Sequence, residues 1–160
     1  MTPYTIRLRI RHPSIDPAEV TRILGKQPTH AWMAGTSRNP AEKDPSRNTH
    51  ADSYWLAPIG LPASPPPAGA LGRAGSIWHL EPHIPIDGLL AGQARLLMTH
   101  KAFFERLKAE GGSCALLVSI STRERWEVDW PPALLRMLGE MNMGLSIDVD
   151  KPGASDDAEP

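Results

Sequence analysis

The chain has one cysteine, two phenylalanines, two tyrosines and no surplus of either charge, with 17 Lys plus Arg against 18 Asp plus Glu and a net charge of -1. Each shortage excludes something. A lone Cys114 cannot close an internal disulfide. Balanced charge gives no long-range attraction for nucleic acid or acidic membranes, although a local basic patch stays open. No stretch reaches the roughly 20 apolar residues that a membrane helix needs. The opening Met1-Thr2-Pro3-Tyr4 starts no apolar run before Arg7, Arg9 and Arg11 interrupt it. The expectation is a cytoplasmic protein without a membrane segment. No nucleophile-base pair, metal-ligand cluster or phosphate loop is present in the pattern, so no catalytic residue, metal or cofactor is assigned. The enzyme question stays open and leans towards no.

What is present is a set of short periodic segments. Tyr4, Ile6, Leu8 and Ile10 alternate with Thr5, Arg7, Arg9 and Arg11, the period of a strand with one packed face and one wet face. A helix follows, with Asp16 as N-cap, Pro17 at its first position, Glu19 as capping-box partner and Ile15 with Val20 as a staple. Val20, Ile23 and Leu24 form its apolar stripe, and Gly25 is placed to stop it. Residues 86–110 repeat Leu89, Leu90, Leu96, Leu97, Phe103, Phe104 and Leu107 at helical spacing. A break is expected near Thr99, which is placed to cap a second helix. Residues 113–121 read as an interior strand facing the core with Cys114, Leu116, Val118 and Ile120. Pro131-Pro132 then opens a helix with Leu134, Leu135, Leu138 and Met141 as its buried stripe, and residues 145–150 alternate as a last strand.

Residues 38–75 are polar and then rich in Pro, Gly and Ala, including Pro65-Pro66-Pro67, and read as an insertion or loop region. Two aromatic-centred strands flank its later part, residues 53–57 and 76–80. They are placed to pair as an irregular hairpin, and the second has the stronger claim because helical sequence follows it directly. Residues 151–160 are acidic and read as a disordered tail. Together these readings give one α+β domain over residues 1–150. Its sheet is a single layer of four or five mostly antiparallel strands with helices on one face, in a ferredoxin-like or related split β-α-β arrangement. Pro17-x-x-Val20-x-Arg22-Ile23-Leu24-Gly25 also echoes Pro131-x-x-Leu134-x-Arg136-Met137-Leu138-Gly139, which suggests two related strand-helix-strand halves.

The helix ending Ile23-Leu24-Gly25, the run Gln27-Pro28-Thr29-x-x-Trp32-x-x-Gly35, the Trp78-centred segment and the closing Leu134-Leu135-x-x-Leu138 to Leu145-Ser146-Ile147-Asp148 segment carry a resemblance. With the first strand, they resemble the bacterial family called domain of unknown function 4279, over most of the chain. The resemblance implies a compact α+β domain and transfers no activity or catalytic residue.

Thr29, His30, Trp32 and Arg38 are the first candidate binding residues, since they could frame a pocket for an anionic or planar ligand. The plainer reading makes Thr29 a backbone anchor and Trp32 a cover for the core edge. Trp126 and Trp130 are the second candidates: an interaction surface, or anchors for the start of the following helix. His79, Glu81 and His83 stand at alternate positions, but Pro82 disfavours a regular strand there, so no metal is assigned. Cys114 reads as a small core hydrophobe, and His12, His50 and His100 as solvated or singly partnered.

Three functions from different classes follow. The leading one is a non-catalytic protein-interaction module, of an immunity or regulatory type. The alternative is a small-ligand binder or enzyme using Thr29 to Arg38. The third is nucleic-acid binding through Arg7, Arg9 and Arg11, disfavoured because no aromatic alternates with that row. The partner expected is another protein, with no nucleic acid and no membrane; the oligomeric state is left unassigned. If the first and last strands are antiparallel neighbours, the Arg row instead faces Ser146, Asp148 and Asp150 in a cross-strand ladder.

Overall fold

The strict alternation of residues 4–12 places Ile6, Leu8, Ile10 and His12 on a buried side of the first strand and leaves Arg7, Arg9 and Arg11 on the other. In the computed structural model, which describes residues 4–38, 48–59, 86–123 and 125–150, this strand lies at the middle of a five-stranded sheet. The elements are β1 (Tyr4–His12), α1 (Pro17–Leu24), β2 (His30–Trp32), β3 (Ser53–Pro58), α2 (Ile86–Met98), α3 (Lys101–Ala109), β4 (Ser113–Ser121), α4 (Pro132–Glu140) and β5 (Met143–Asp150). The strand order is β2-β3-β1-β4-β5. Pairings β1–β3, β1–β4 and β2–β3 are antiparallel, and β4–β5 is parallel. The sheet is therefore mostly antiparallel, as expected of an α+β fold.

β3 enters between β1 and β2, which run parallel and are joined through α1. That is a split β-α-β unit. β4, α4 and β5 form a second, unsplit unit, with the parallel crossover a helix provides. The echoed segments thus occupy equivalent helices. They part at their last glycine: Gly25 ends α1 at φ 63°, whereas Gly139 lies inside α4 and Asn142 takes the left-handed position, at φ 52°.

All four described helices contribute to one core on a single face of the sheet. Leu8, Ile10, Trp55, Leu116 and Val118 from the strands meet Val20, Leu90, Phe104, Leu107 and Leu134 from the helices. Burial of this kind supplies the main stabilisation, at roughly 25 cal/mol per Å² of apolar surface removed from water. Two leucines of the expected stripes are outside it: Leu96 is 62% exposed and Leu135 48%. Each directly precedes or follows a buried leucine, and a step of one residue turns about 100° around a helix, off the packed stripe.

Several local expectations hold and others shift. The Asp16 carboxylate accepts the Ala18 amide at 2.8 Å, with Pro17 opening the helix. Glu19 does not close a capping box; it takes the Arg106 guanidinium at 2.6 Å, since a partner from α3 is within reach. The helical region breaks at residues 99 and 100. There the Thr99 hydroxyl donates back to the Leu96 carbonyl at 2.7 Å, finishing α2 rather than capping α3. Of the expected hairpin, residues 53–57 fall in β3, which pairs with β1 on one edge and β2 on the other. Residues 76–80 lie outside the described residues. The first and last strands are not neighbours either: β4 stands between β1 and β5, so the Arg-Asp ladder does not exist. Arg7 instead donates to the Ser119 hydroxyl on β4 at 2.8 Å.

Candidate functional site

The three residues of β2 carry no strand period of their own, and the structure shows why they pair. Thr29 anchors its start, giving both its amide and its hydroxyl to the Leu56 carbonyl, at 2.8 and 3.2 Å. The register His30↔Leu56, Ala31↔Trp55, Trp32↔Tyr54 follows. After Trp32 the chain turns over Met33 to Thr36, closed by the Thr36 amide on the Met33 carbonyl at 3.1 Å. Gly35 has φ 80° there, at the turn position that favours glycine. A short return ladder then joins residues 35–38 to 48–50. Gly35 donates to the His50 carbonyl, His50 to that of Thr36, and Arg38 to that of Asn48, all at 2.8 to 2.9 Å.

This ladder carries His50 over Trp32. The Trp32 and His50 rings stack at 4.5 Å and 20°, and Trp32 stacks on Tyr54 from its strand partner at 4.3 Å and 10°. Arg11, opposite Tyr54 on β1, places its guanidinium 5.8 Å from the tyrosine ring. The result is a column running Arg11, Tyr54, Trp32, His50 along one end of the sheet. A cleft of about 160 Å³ opens beside it, lined by all four of these residues together with Arg38 and Asp52. A neighbouring cleft of about 240 Å³ shares Arg11 and Asp52 and reaches His12 and Ser113.

Of the residues singled out from the sequence, Trp32 and Arg38 come together here. Thr29 and His30 do not line the cleft; His30 is exposed, with its Nδ1 3.3 Å from the Thr29 hydroxyl. Trp126 and Trp130 lie elsewhere, tilted against one another at 6.4 Å and half-buried against the core. Sequence reading assigned no cleft role to Arg11, Tyr54 or His50. The cross-strand pairing that joins them is non-local, and only the period-two placement of Arg11 on the wet face of β1 was available as a signal.

Two groups that chemistry would look to first are occupied. His12 is 4% exposed. Its Nδ1 accepts the amides of Ser14 and Ile15 at 3.1 and 2.9 Å, which assigns the ring proton to Nε2, 3.1 Å from the Glu110 carboxylate. Both ring nitrogens are thus engaged, one holding the turn between β1 and α1 and the other the end of α3. Gly112 completes that junction: a Cβ there would meet the His12 ring at 2.7 Å and the Leu107 carbonyl oxygen at 2.8 Å. Burial pushes the Cys114 thiol up to about 12, against a smaller opposing pull from Lys108, so at neutral pH it is a protonated core side chain. No group of three or more His, Cys, Asp or Glu among the described residues is placed to hold a metal ion. His79, Glu81 and His83 lie outside those residues. No described helix is long and apolar enough to cross a membrane.

Residues 2–60 match the family described as Domain of unknown function (DUF4279). The resemblance to that family therefore holds over β1, α1, β2 and β3, the part of the chain that builds the column and its cleft. It includes the first part of the segment read as an insertion, and the later motifs that carried the resemblance lie beyond it. No curated protein and no solved structure matches the chain.

Proposed function

We propose that this domain is a non-catalytic protein-interaction module that holds an anionic group of its partner in the cleft between Arg11 and Arg38. The observation that carries this reading is the convergence of two arginines, one from the centre of the sheet and one from the return ladder, on one cleft beside a stacked column. Arginine recognises carboxylate and phosphate groups in a bidentate way. The ring column restrains the Arg11 side chain, so less entropy is lost when it binds. The cleft is smaller than the roughly 300–1,000 Å³ of most small-molecule sites. It suits an acidic side chain or a phosphorylated residue presented by a larger partner, as an immunity-type or regulatory protein would use.

A nucleic-acid role has less support. Single-strand binders offer open ring faces to the bases. Here both faces of Trp32 are taken by Tyr54 and His50, and Arg11 stands over Tyr54.

The test is binding of Asp/Glu-rich and phosphoserine peptides, followed by anisotropy, to the full chain and to Arg11→Ala and Arg38→Ala variants. An acidic peptide should bind and lose about tenfold or more in affinity with either variant, at unchanged melting temperature, since each charge-assisted contact is worth roughly 1.5–3 kcal/mol. Equal affinity for both variants and the parent chain would remove this reading. Tighter, salt-steep binding to a random oligonucleotide would replace it with the nucleic-acid one.

A further inference from the structure

We infer that the outer edge of β5 is a second docking site, one that accepts an extended strand of a partner protein in which Lys or Arg alternates with Val, Ile or Leu. Among the described residues β5 ends the sheet and pairs only with β4, in unbroken parallel register from Cys114↔Met143 to Ser121↔Asp150. Its outer backbone groups therefore face no strand among the described residues. Such an edge is a template for strand addition, and proteins usually blunt it by shortening the strand or by placing a bulge, Pro or Lys on it. The opposite edge follows the first of these: β2 has three residues. β5 has eight, with no bulge, Pro or Lys.

What β5 presents is a pattern. Ile147 and Val149, on the side towards the helices, are 39% and 50% exposed. Asp148 and Asp150 alternate with them on the other side, exposed, and no described ion pair includes either carboxylate. An added strand continues the same alternation. Its residues beside Ile147 and Val149 gain by being apolar, and those beside Asp148 and Asp150 gain by being cationic.

The same charges argue against a second copy of this chain. Antiparallel pairing centred on Ile147 would set Ser146 opposite Asp148 and Gly144 opposite Asp150, gathering the carboxylates of both copies on one face with no cation of β5 among them. Charge on an edge strand excludes self-pairing and leaves a complementary partner as the occupant. This site uses none of the cleft residues and stands or falls independently of the cleft.

The experiment uses the full chain and a short capped peptide alternating Lys and Val, with an alternating Glu and Val peptide as comparison. Anisotropy measures affinity, and amide hydrogen exchange locates the contact. The Lys-Val peptide should bind roughly tenfold or more tightly than the Glu-Val peptide, as expected of two cross-strand charge pairs turned from attraction to repulsion. It should protect amides within residues 143–150. The exposed double variant D148K/D150K should reverse the preference, and N-methylation of the peptide on its pairing edge should abolish binding. Four results would each overturn the inference: equal binding of the two peptides, no reversal in the double variant, undiminished binding of the N-methylated peptide, or concentration-dependent protection of β5 without any peptide.

Discussion

α1 and α4 each bridge two parallel strands and each bury a pair of aliphatic side chains four residues apart, Val20 with Leu24 and Leu134 with Leu138. The units around them differ in what is wedged inside. β3 separates β1 from β2, while β4 and β5 lie side by side. The inserted strand gives α1 a side-chain hydrogen bond to the sheet. The Trp55 indole N–H donates to the Thr21 hydroxyl at 3.0 Å, and that hydroxyl donates to the Pro17 carbonyl at 3.1 Å. Glu19 meets Arg106, and Asp16 caps the first turn. α4 has no side-chain cap at Pro131 and packs against α2 and β5 through its apolar side. Similar helical sequence is thus locked by several directional bonds in one unit and mainly by shape in the other, where the Lys101–Glu140 ion pair to α3 is long, at 3.9 Å, and exposed. The locked unit carries the ordered ring column; the other ends in an open edge.

The change expected to break this contrast most is Trp55→Ala. Trp55 is 1% exposed, lies under α1 and links it to β3. Removing a buried tryptophan typically costs about 3–5 kcal/mol. Trp55→Phe keeps most of the packing and loses the hydrogen bond, for about 1 kcal/mol of bond plus a small cavity term. Urea midpoints of the two variants separate packing from locking. If the alanine variant costs no more than the phenylalanine one, packing of α1 on β3 is not what holds the first unit.

At the seam where the second unit meets the first lies Cys114, on β4 beside β1 and β5. Its thiol moves from its ordinary 9.0 up to about 12 because burial penalises the thiolate. Between those values the folded chain keeps a proton that the unfolded chain releases, so the contribution is intact below about 9 and is lost as pH rises towards 12. The loss approaches about 1.4 kcal/mol for each pH unit in that window. Cys114→Ala should remove this part of the alkaline slope, and the parent thiol should react with a disulfide reagent at pH 8 only as fast as β4 opens. Rapid reaction in the native state would show that the seam between the units is loose.

The same seam marks the limit of what the chain discloses before it folds. Period-two and helical patterns mark β1, β4, β5 and the four described helices, with the Asp16 start and the Gly25 stop of α1, because each depends on residues within a turn or two. The three-residue β2 carries too short a pattern, and it exists because Thr29 and its neighbours meet β3 across more than twenty intervening residues. The cleft has the same origin. Trp32 and Arg38 stood out by residue type, but Arg11, Tyr54 and His50 join them through strand order and the return ladder. Strand order also undid the Arg-Asp ladder. Alternation tells which side a residue faces and leaves open which strand lies beside it.

The smallest effect sharpens the comparison at the helix starts. The Asp16 side chain accepts the Ala18 amide, and its backbone carbonyl accepts those of Glu19 and Val20. Asp16→Ala removes the side-chain acceptor and leaves the carbonyl, so about 1 kcal/mol should be lost. The equivalent position before α4 is Pro131, whose carbonyl accepts the Leu134 and Leu135 amides but whose side chain accepts nothing. Pro131→Asp should therefore add a cap where none exists. That gain has to offset the freedom the unfolded chain regains when a proline is lost, itself about 0.4–1 kcal/mol. The expected pair of results is a clear fall in urea midpoint for Asp16→Ala and a near-zero change for Pro131→Asp. A loss as large at Pro131 as at Asp16 would mean that α4 depends on its rigid entry as much as α1 depends on its cap, and the division into a locked and an unlocked helix would not stand.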